Sequence, residues 1–291
     1  MKTTPQCAPC LLNRVLYEAE LSTNDEGLRF KAVQSGMEFL REHCRPGADA
    51  IGISTGIHRR TYAILGDKDP YRAAKALSNR LAAAEMPRAR ALLDRAPPAE
   101  RFRLAVLMAI AGNTFDFGVQ GHAVETDDFG AFLDRMIRQG LGVDDSDRIA
   151  ALARGADVLY LADNCGEIYF DELLIEQLQA MEARVTLVVR GDFILTDATM
   201  EDVRRMGLDR KVDRVLTTGS NAVGVSLAEA PAELREALRS AGLIVSKGMA
   251  NYESLSDAGF RPMAYLLRAK CEPVAAALGV KKGTNVAMLV R

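Results

Sequence analysis

No segment of this sequence is apolar for long enough to cross a bilayer. The longest such run, Leu104 to Gly112 (LAVLMAIAG), falls far short of the ~20 residues a spanning helix needs. The N-terminus, MKTTPQCAPC, carries no signal-peptide apolar stretch. A basic stripe is missing too: the 37 Lys and Arg are scattered among 39 Asp and Glu. Nothing there would release many counterions from a phosphate backbone, so nucleic acid is not an expected partner. Cysteine is sparse. Its five copies (Cys7, Cys10, Cys44, Cys165, Cys271) are an odd set without an export signal, which points to a reducing compartment and a cytoplasmic location. Zinc has little to draw on, because the C-x-x-C at Cys7 and Cys10 has no second C-x-x-C or paired His to complete it. That pair reads as a redox couple, half of a soft-metal site, or two thiols packing the first helix. Repeats and low-complexity tracts are absent, and the length of 291 residues suits one large or two modest domains. The patterns do not speak to oligomeric state.

The first half reads as helices. From Phe30, the residues Val33, Met37, Leu40 and Cys44 recur at three- and four-residue steps and predict one buried helical stripe. Ala74, Leu77 and Leu81 repeat the spacing after the turn at Asp69-Pro70, and a third helix spans roughly Ala99 to Ala111 as a central core element. Beyond residue 150, short β-type runs alternate with helical stretches: Val158 to Ala162, Val185 to Val189, Val212 to Leu216, Leu243 to Val245, and Val286 to Val290. Such alternation predicts a mainly parallel sheet flanked by helices. Ala50 to Ser54 is a further strand candidate, while Ala96-Pro97-Pro98 and the acidic stretch Asp144 to Asp147 read as linkers. This gives a mainly helical region over 1–150 and an α/β region over 151–291, as two units or one compact body.

In an open α/β sheet, ligands bind beyond the carboxyl ends of the strands. The segments there are strongly polar: Asp163 to Glu167 (DNCGE), Arg190-Gly191-Asp192 followed by Asp197, Thr217 to Asn221, and Ser246 to Glu253 (SKGMANYE). Asp163, Asn164 and Asp197 supply hard oxygen donors suited to Mg or Mn. Taken singly, Asp163 and Asn164 read as a turn with a helix cap sooner than as ligands; acids after two separate strands, with a Lys after another, favour a site. Thr199 and Asp202 offer the next helix its own capping box, which leaves Asp197 less in need of that explanation. Lys247 precedes a helix start at Gly248, where its charge opposes the helix dipole. A bound phosphate would remove that conflict, with Gly219-Ser220-Asn221 able to add donors. Because crowded carboxylates repel one another when no cation sits between them, Asp197→Asn is expected to leave metal-free stability unchanged or higher.

Taken in order, CAPC at Cys7, DPY at Asp69 with Lys75 after it, GNTFDFG at Gly112, DNCGE at Asp163, the Asp197 loop, SKGMANYE at Ser246 and LLRAKCEPVA at Leu266 resemble the damage-control phosphatases, formerly the domain of unknown function eighty-nine. The match is to the microbial branch with an N-terminal C-x-x-C. The resemblance implies a three-layer α/β/α sandwich with a helical N-terminal region. It also implies a divalent metal (Mn, Ni, Co or Mg) held by Asp163, Asn164 and Asp197. Substrate contacts fall at Glu167, the Met249 to Glu253 segment including Asn251 and Glu253, and Lys270. Asn113 and Asp116 are expected to face the site from the helical half, with a buried Asn capping a helix end as the equal alternative. Glu253 and Leu267 stand where the eukaryotic branch carries Arg, so an identical sugar-phosphate substrate does not follow.

The activity so implied is hydrolysis of a small phosphorylated metabolite, damaged or a side product: a sugar phosphate, a nucleotide relative or a phosphopantetheine-like compound. Lys247 or Lys270 would stabilise the developing charge, and Asp163 or a metal-activated water would attack. Glu167 and Glu253 are the acid–base candidates. Two other classes remain: an S-adenosylmethionine-dependent carboxyl methyltransferase, and a non-catalytic metal- or metabolite-binding protein. The first is disfavoured by DNCGE, whose single glycine and two acids do not make a glycine-rich nucleoside turn.

Overall fold

The structure is a computed structural model that describes residues 1–112 and 129–291. Helices α1 (Cys7–Ser22), α2 (Glu26–His43) and α3 (Ala50–Leu65) form a group with its own core of Leu11, Val15, Ala32, Leu40 and Ile57. Cys7 opens α1 and is partly buried, whereas Cys10 is exposed. The buried face of α2 differs from the expected stripe. Phe30 and Met37 are exposed, while Ala32, Ser35, Gly36 and Leu40 face inward. Small residues prevail there because α1 comes close: a Cβ on Gly36 would already meet Val15 at 3.3 Å. The strand expected at Ala50 to Ser54 is instead the start of α3. The Asp49 carboxylate caps it at the Gly52 N–H, and the buried set Ile53, Ile57, His58 and Thr61 follows helical spacing.

Helices α4 (Arg72–Arg95), α5 (Pro98–Gly112) and α6 (Phe129–Gln139) follow. On α4 the buried face carries Lys75, Ser78, Asn79 and Ala82 rather than the expected Ala74, Leu77 and Leu81. A polar face is buried because polar loops lie against it. The central helix is α5, buried continuously from Ala105 to Gly112.

The remainder alternates as β1 (Val143–Asp144), α7 (Ser146–Ala153), β2 (Asp157–Leu161), α8 (Glu167–Gln179), β3 (Arg184–Val189), α9 (Met200–Met206), β4 (Arg214–Thr217), α10 (Ala232–Ser240), β5 (Leu243–Lys247), α11 (Gly248–Leu255), β6 (Met263–Arg268), α12 (Glu272–Leu278) and β7 (Asn285–Val290). The sheet runs β1-β7-β6-β5-β2-β3-β4, and its only antiparallel pair among the described residues is β6 with β7. β6 has no counterpart among the expected strands. The acidic stretch from Asp144 is not a linker: Asp144 ends β1, and its carboxylate accepts from the Ser146 N–H and hydroxyl at the start of α7.

Alternate strand residues feed two cores. Val158, Tyr160, Val185, Leu187, Val245 and Leu266 pack against α4 to α9, whereas Leu159, Leu161, Val188, Ile244, Tyr265 and Leu267 pack against α10 to α12. The result is the three-layer α/β/α sandwich, with α1 to α3 added beside it. Helices α4 to α7 share the sheet's own core. No helix among the described residues is long and apolar enough to cross a membrane.

Candidate functional site

The parallel strands β2, β3 and β5 are neighbours, so the segments leaving their carboxyl ends meet at one edge of the sheet. Asp163 and Asn164 follow β2, and Asp197 lies on the loop after β3. All three are buried, at 6%, 8% and 3% exposure. Backbone bonds tie the two loops together: Ala198 N–H donates to the Asp163 carbonyl at 2.8 Å, and Cys165 N–H to Thr196 O at 2.8 Å. Asn164 and Asp197 pair as an isolated bridge. The Thr196 hydroxyl donates to Asn164 Oδ1 at 2.9 Å, and that carbonyl keeps its second lone pair for another partner.

Gly248 sets the floor. Its φ of 73° starts α11 directly beneath the Asp163 carboxylate, where any Cβ would collide with Oδ2. Burial raises the Asp163 pKa well above the usual carboxylate range, and Asp197 and Glu167 add to it, while Arg190 and Lys270 pull it down. Three acids and two cations therefore act on one another here.

Arg190, the residue directly after β3, is the member that the sequence reading left without a role. It is 2% exposed. Its Nε donates to Asp197 Oδ2, and Nη2 reaches Asp163 Oδ1 at 3.4 Å, so one guanidinium bridges both aspartates. The signal was an Arg leaving a strand toward two acids, visible only once those acids share a site. Because Arg190 sets a cation between the two aspartates, Asp197→Asn is expected to lower metal-free stability rather than leave it unchanged or higher.

Lys247 is the largest departure in geometry. At the end of β5 its ammonium is fully buried and donates to Glu167 Oε1 at 2.5 Å, Asp171 Oδ1 at 2.5 Å and Ala109 O at 2.9 Å. A lysine has three donors, and all three are engaged. The conflict with the α11 dipole is answered by two carboxylates of α8 rather than by a phosphate. Burial opposes the Lys247 charge, but Asp171 and Glu167 outweigh it and raise its pKa. Burial pushes Asp171 up to about 6 against the pull of Lys247, and Tyr160 Oη donates to it at 2.7 Å. Glu167 in turn accepts from Asn164 N–H at 3.3 Å and Nδ2 at 3.2 Å, which carries the network to the aspartate loop.

The other expected residues distribute unevenly. Lys270 acts electrostatically on Asp163, and its N–H donates to Met249 Sδ at 3.3 Å. Asn251 is fully buried, with Nδ2 donating to Ala162 O at 3.0 Å and Lys247 O at 2.8 Å, while Oδ1 has no partner among the described residues. Glu253 belongs to a different group. Burial raises it to about 7, and the largest charges acting on it are the N-terminal amine, Arg14 and Asp49 rather than the clustered acids. Ser220 and Asn221 sit beside Gly191 under α3, where Arg59 Nε donates to Asn221 Oδ1 at 2.8 Å and Ser220 O accepts from Gly191 N–H at 3.2 Å. Asn113 and Asp116 lie outside the described residues. A surface depression of about 510 Å³ between α2 and α3 is lined by Phe39, His43 and Asp49 and by none of the site residues.

Two carboxylates and an amide carbonyl, all buried and from two abutting loops, are the oxygen donors a hard divalent ion takes. Among the described residues, no three His, Cys, Asp or Glu side chains cluster in a metal-holding arrangement, so Asp163 and Asp197 would need a further oxygen donor, and the Asn164 amide lies beside them. Asn251 Oδ1, which has no partner among the described residues, is a further buried oxygen.

The whole chain has relatives. The profile of the Damage-control phosphatase ARMT1-like domain matches residues 3–286. A protein of Archaeoglobus fulgidus named Damage-control phosphatase is 45% identical over 290 residues, covering 100% of both chains. A Damage-control phosphatase of Pyrococcus horikoshii is 33% identical, covering 99% of this chain and 98% of its own. The crystal structure of a DUF89 family protein from Pyrococcus horikoshii superposes with a TM-score of 0.90 at 32% identity, covering 100% of each chain. With the family profile spanning nearly its full length, this chain belongs to the damage-control phosphatase ARMT1-like family.

Proposed function

We propose that this protein is a metal-dependent phosphatase that hydrolyses a small phosphorylated metabolite, a damaged compound or side product. The phosphatase part follows the family; the observation that carries the metal part is the joint burial of Asp163, Asn164 and Asp197 on two abutting loops. Bound by those oxygens, a divalent ion (Mn, Ni, Co or Mg) supplies charge neutralisation at the phosphoryl oxygens. Hydrolysis forms one P–O bond to the attacking oxygen and breaks the ester P–O bond, with a proton passing to the departing alkoxide. Lys270 and Arg190 are the cations suited to the phosphoryl charge, since both already act on Asp163. Lys247 works from behind, holding Glu167 and through it Asn164.

The substrate classes that suit this reading are sugar phosphates, nucleotide relatives and phosphopantetheine-like compounds. The methyltransferase alternative gains nothing from the loop after β2, whose one glycine N–H, at Gly166, is taken by the Asn79 side chain. The test is a phosphomonoester panel assayed after metal stripping, with Mn, Ni, Co or Mg restored and with EDTA present. Turnover is expected only with added ion. Full activity in chelator overturns the metal dependence, and no turnover with any ester and any ion overturns the phosphatase.

A further inference from the structure

The polar face of α4 carries the inference. Ser78 and Asn79 are each 3% exposed, although a helix gains little by burying a polar side chain that has no specific partner. Their partners are the loop after β2 and the first turn of α9, the helix that the Asp197 loop enters. Asn79 Oδ1 accepts from Gly166 N–H at 2.7 Å, two residues beyond Asn164. Its Nδ2 donates to Asp202 Oδ1 at 2.7 Å, five residues beyond Asp197. Asp202 uses its other oxygen to accept from Thr199 N–H at 2.9 Å, closing the capping box of α9.

Beside it, the Ser78 hydroxyl donates to Cys165 O at 3.2 Å. Gly166 has φ 72°, and a Cβ there would collide with Ser78 Oγ. One turn earlier, Lys75 pairs with Asp69 at 2.7 Å and lies 4.2 Å from the ring centre of Phe193, on the same loop as Asp197. Positions i, i+3 and i+4 of one helix thus grip both loops.

We infer that Asn79 is a positioning residue, whose single amide sets the spacing of the Asp163–Asn164 loop against the Asp197 loop and thereby the affinity of the site for a divalent ion. The inference rests on the metal-site reading above. Asn79 touches no proposed ligand itself. It acts by engaging, with one planar group, a donor on the first loop and an acceptor in the first turn of α9, the helix that the Asp197 loop enters, as outer-shell partners of metal ligands do.

The test is calorimetric titration of Mn²⁺ into metal-stripped parent, Asn79→Asp, and the double variant Asn79→Asp/Asp202→Asn. Asn79→Asp keeps volume and the acceptor for Gly166 but sets a carboxylate against Asp202. A fall in Mn²⁺ affinity of about ten- to a hundredfold is expected. The double variant exchanges donor and acceptor, and recovery to within about threefold of the parent is expected. A well-folded Asn79→Asp with parental affinity overturns the inference, as does a double variant no better than the single. Should Asn79→Asp fail to fold, Asn79→Ala, which deletes both bonds without adding charge, decides by the same comparison. A parent that takes up no divalent ion overturns the metal-site reading itself. Parental binding with an unaffected variant overturns only the role of Asn79.

Discussion

Replacing Lys247 by Met removes the one cation between two buried carboxylates and separates a structural role from a phosphate-binding one. Glu167 and Asp171 are fully buried and each lies 2.5 Å from Nζ. Without the ammonium both should take up protons rather than remain as unpaired buried charges. Holding an ordinary glutamate neutral at pH 7 costs on the order of 4 kcal/mol. Asp171 already stands at about 6 in the parent. Its protonation at pH 7 adds only about 1 kcal/mol. The total, about 5 kcal/mol, matches the roughly 3–5 kcal/mol of a broken buried pair. The sign follows from the direction of the shifts. The variant's acids have raised folded pKa values, so stability is retained below the unfolded values and lost as pH rises. At pH 5 the penalty shrinks to about 1 kcal/mol, because Asp171 is largely protonated in both proteins and this pH is close to the ordinary carboxylate range of an unfolded chain. Urea unfolding of parent and variant at pH 5 and pH 7, without metal, measures the difference directly. A destabilisation below about 1 kcal/mol at both pH values, together with lost turnover, would refute the network and return Lys247 to the phosphate.

Asp197→Asn keeps volume and one oxygen but weakens the Arg190 bridge. Stability without metal should fall by roughly 2–3 kcal/mol, less than for a lone buried pair because Arg190 retains Asp163. Calorimetry should show Mn²⁺ affinity falling with it, and an unchanged melting point would contradict the bridge. Glu253→Gln addresses a group raised to about 7 from 4.5, mainly by burial. An acid shifted upward contributes stability below about pH 4.5 that is lost as pH rises through 7, by about 3 kcal/mol in all. The Gln variant should therefore match the parent near pH 4.5 and exceed it at pH 8 by up to that amount. Parallel stability curves across this range would show that Glu253 is not desolvated.

The alternation of apolar strand residues is a local property, and so is the polar character of each segment that follows a strand. A parallel sheet then has to collect those segments at one edge. This is why the mainly parallel sheet flanked by helices, the helix starting at Gly248 and the gathering of Asp163, Asn164 and Asp197 at one sheet edge were legible from residue order. Periodicity was less informative for α2 and α4, whose buried faces hold small or polar residues. Which face a helix buries depends on how closely its neighbour approaches and on what that neighbour offers. Side-chain partnership across the chain was not legible at all. Lys247 meets Glu167 from 80 residues away, and Asn79 spans 87 residues to Gly166 and 123 to Asp202. A lysine before a helix reads as a free cation until two carboxylates from another helix reach it. An asparagine within a helix reads as a surface residue until two loops close over it. Tertiary packing removed water from these groups, and without water each buried donor and acceptor had to find its partner in the protein.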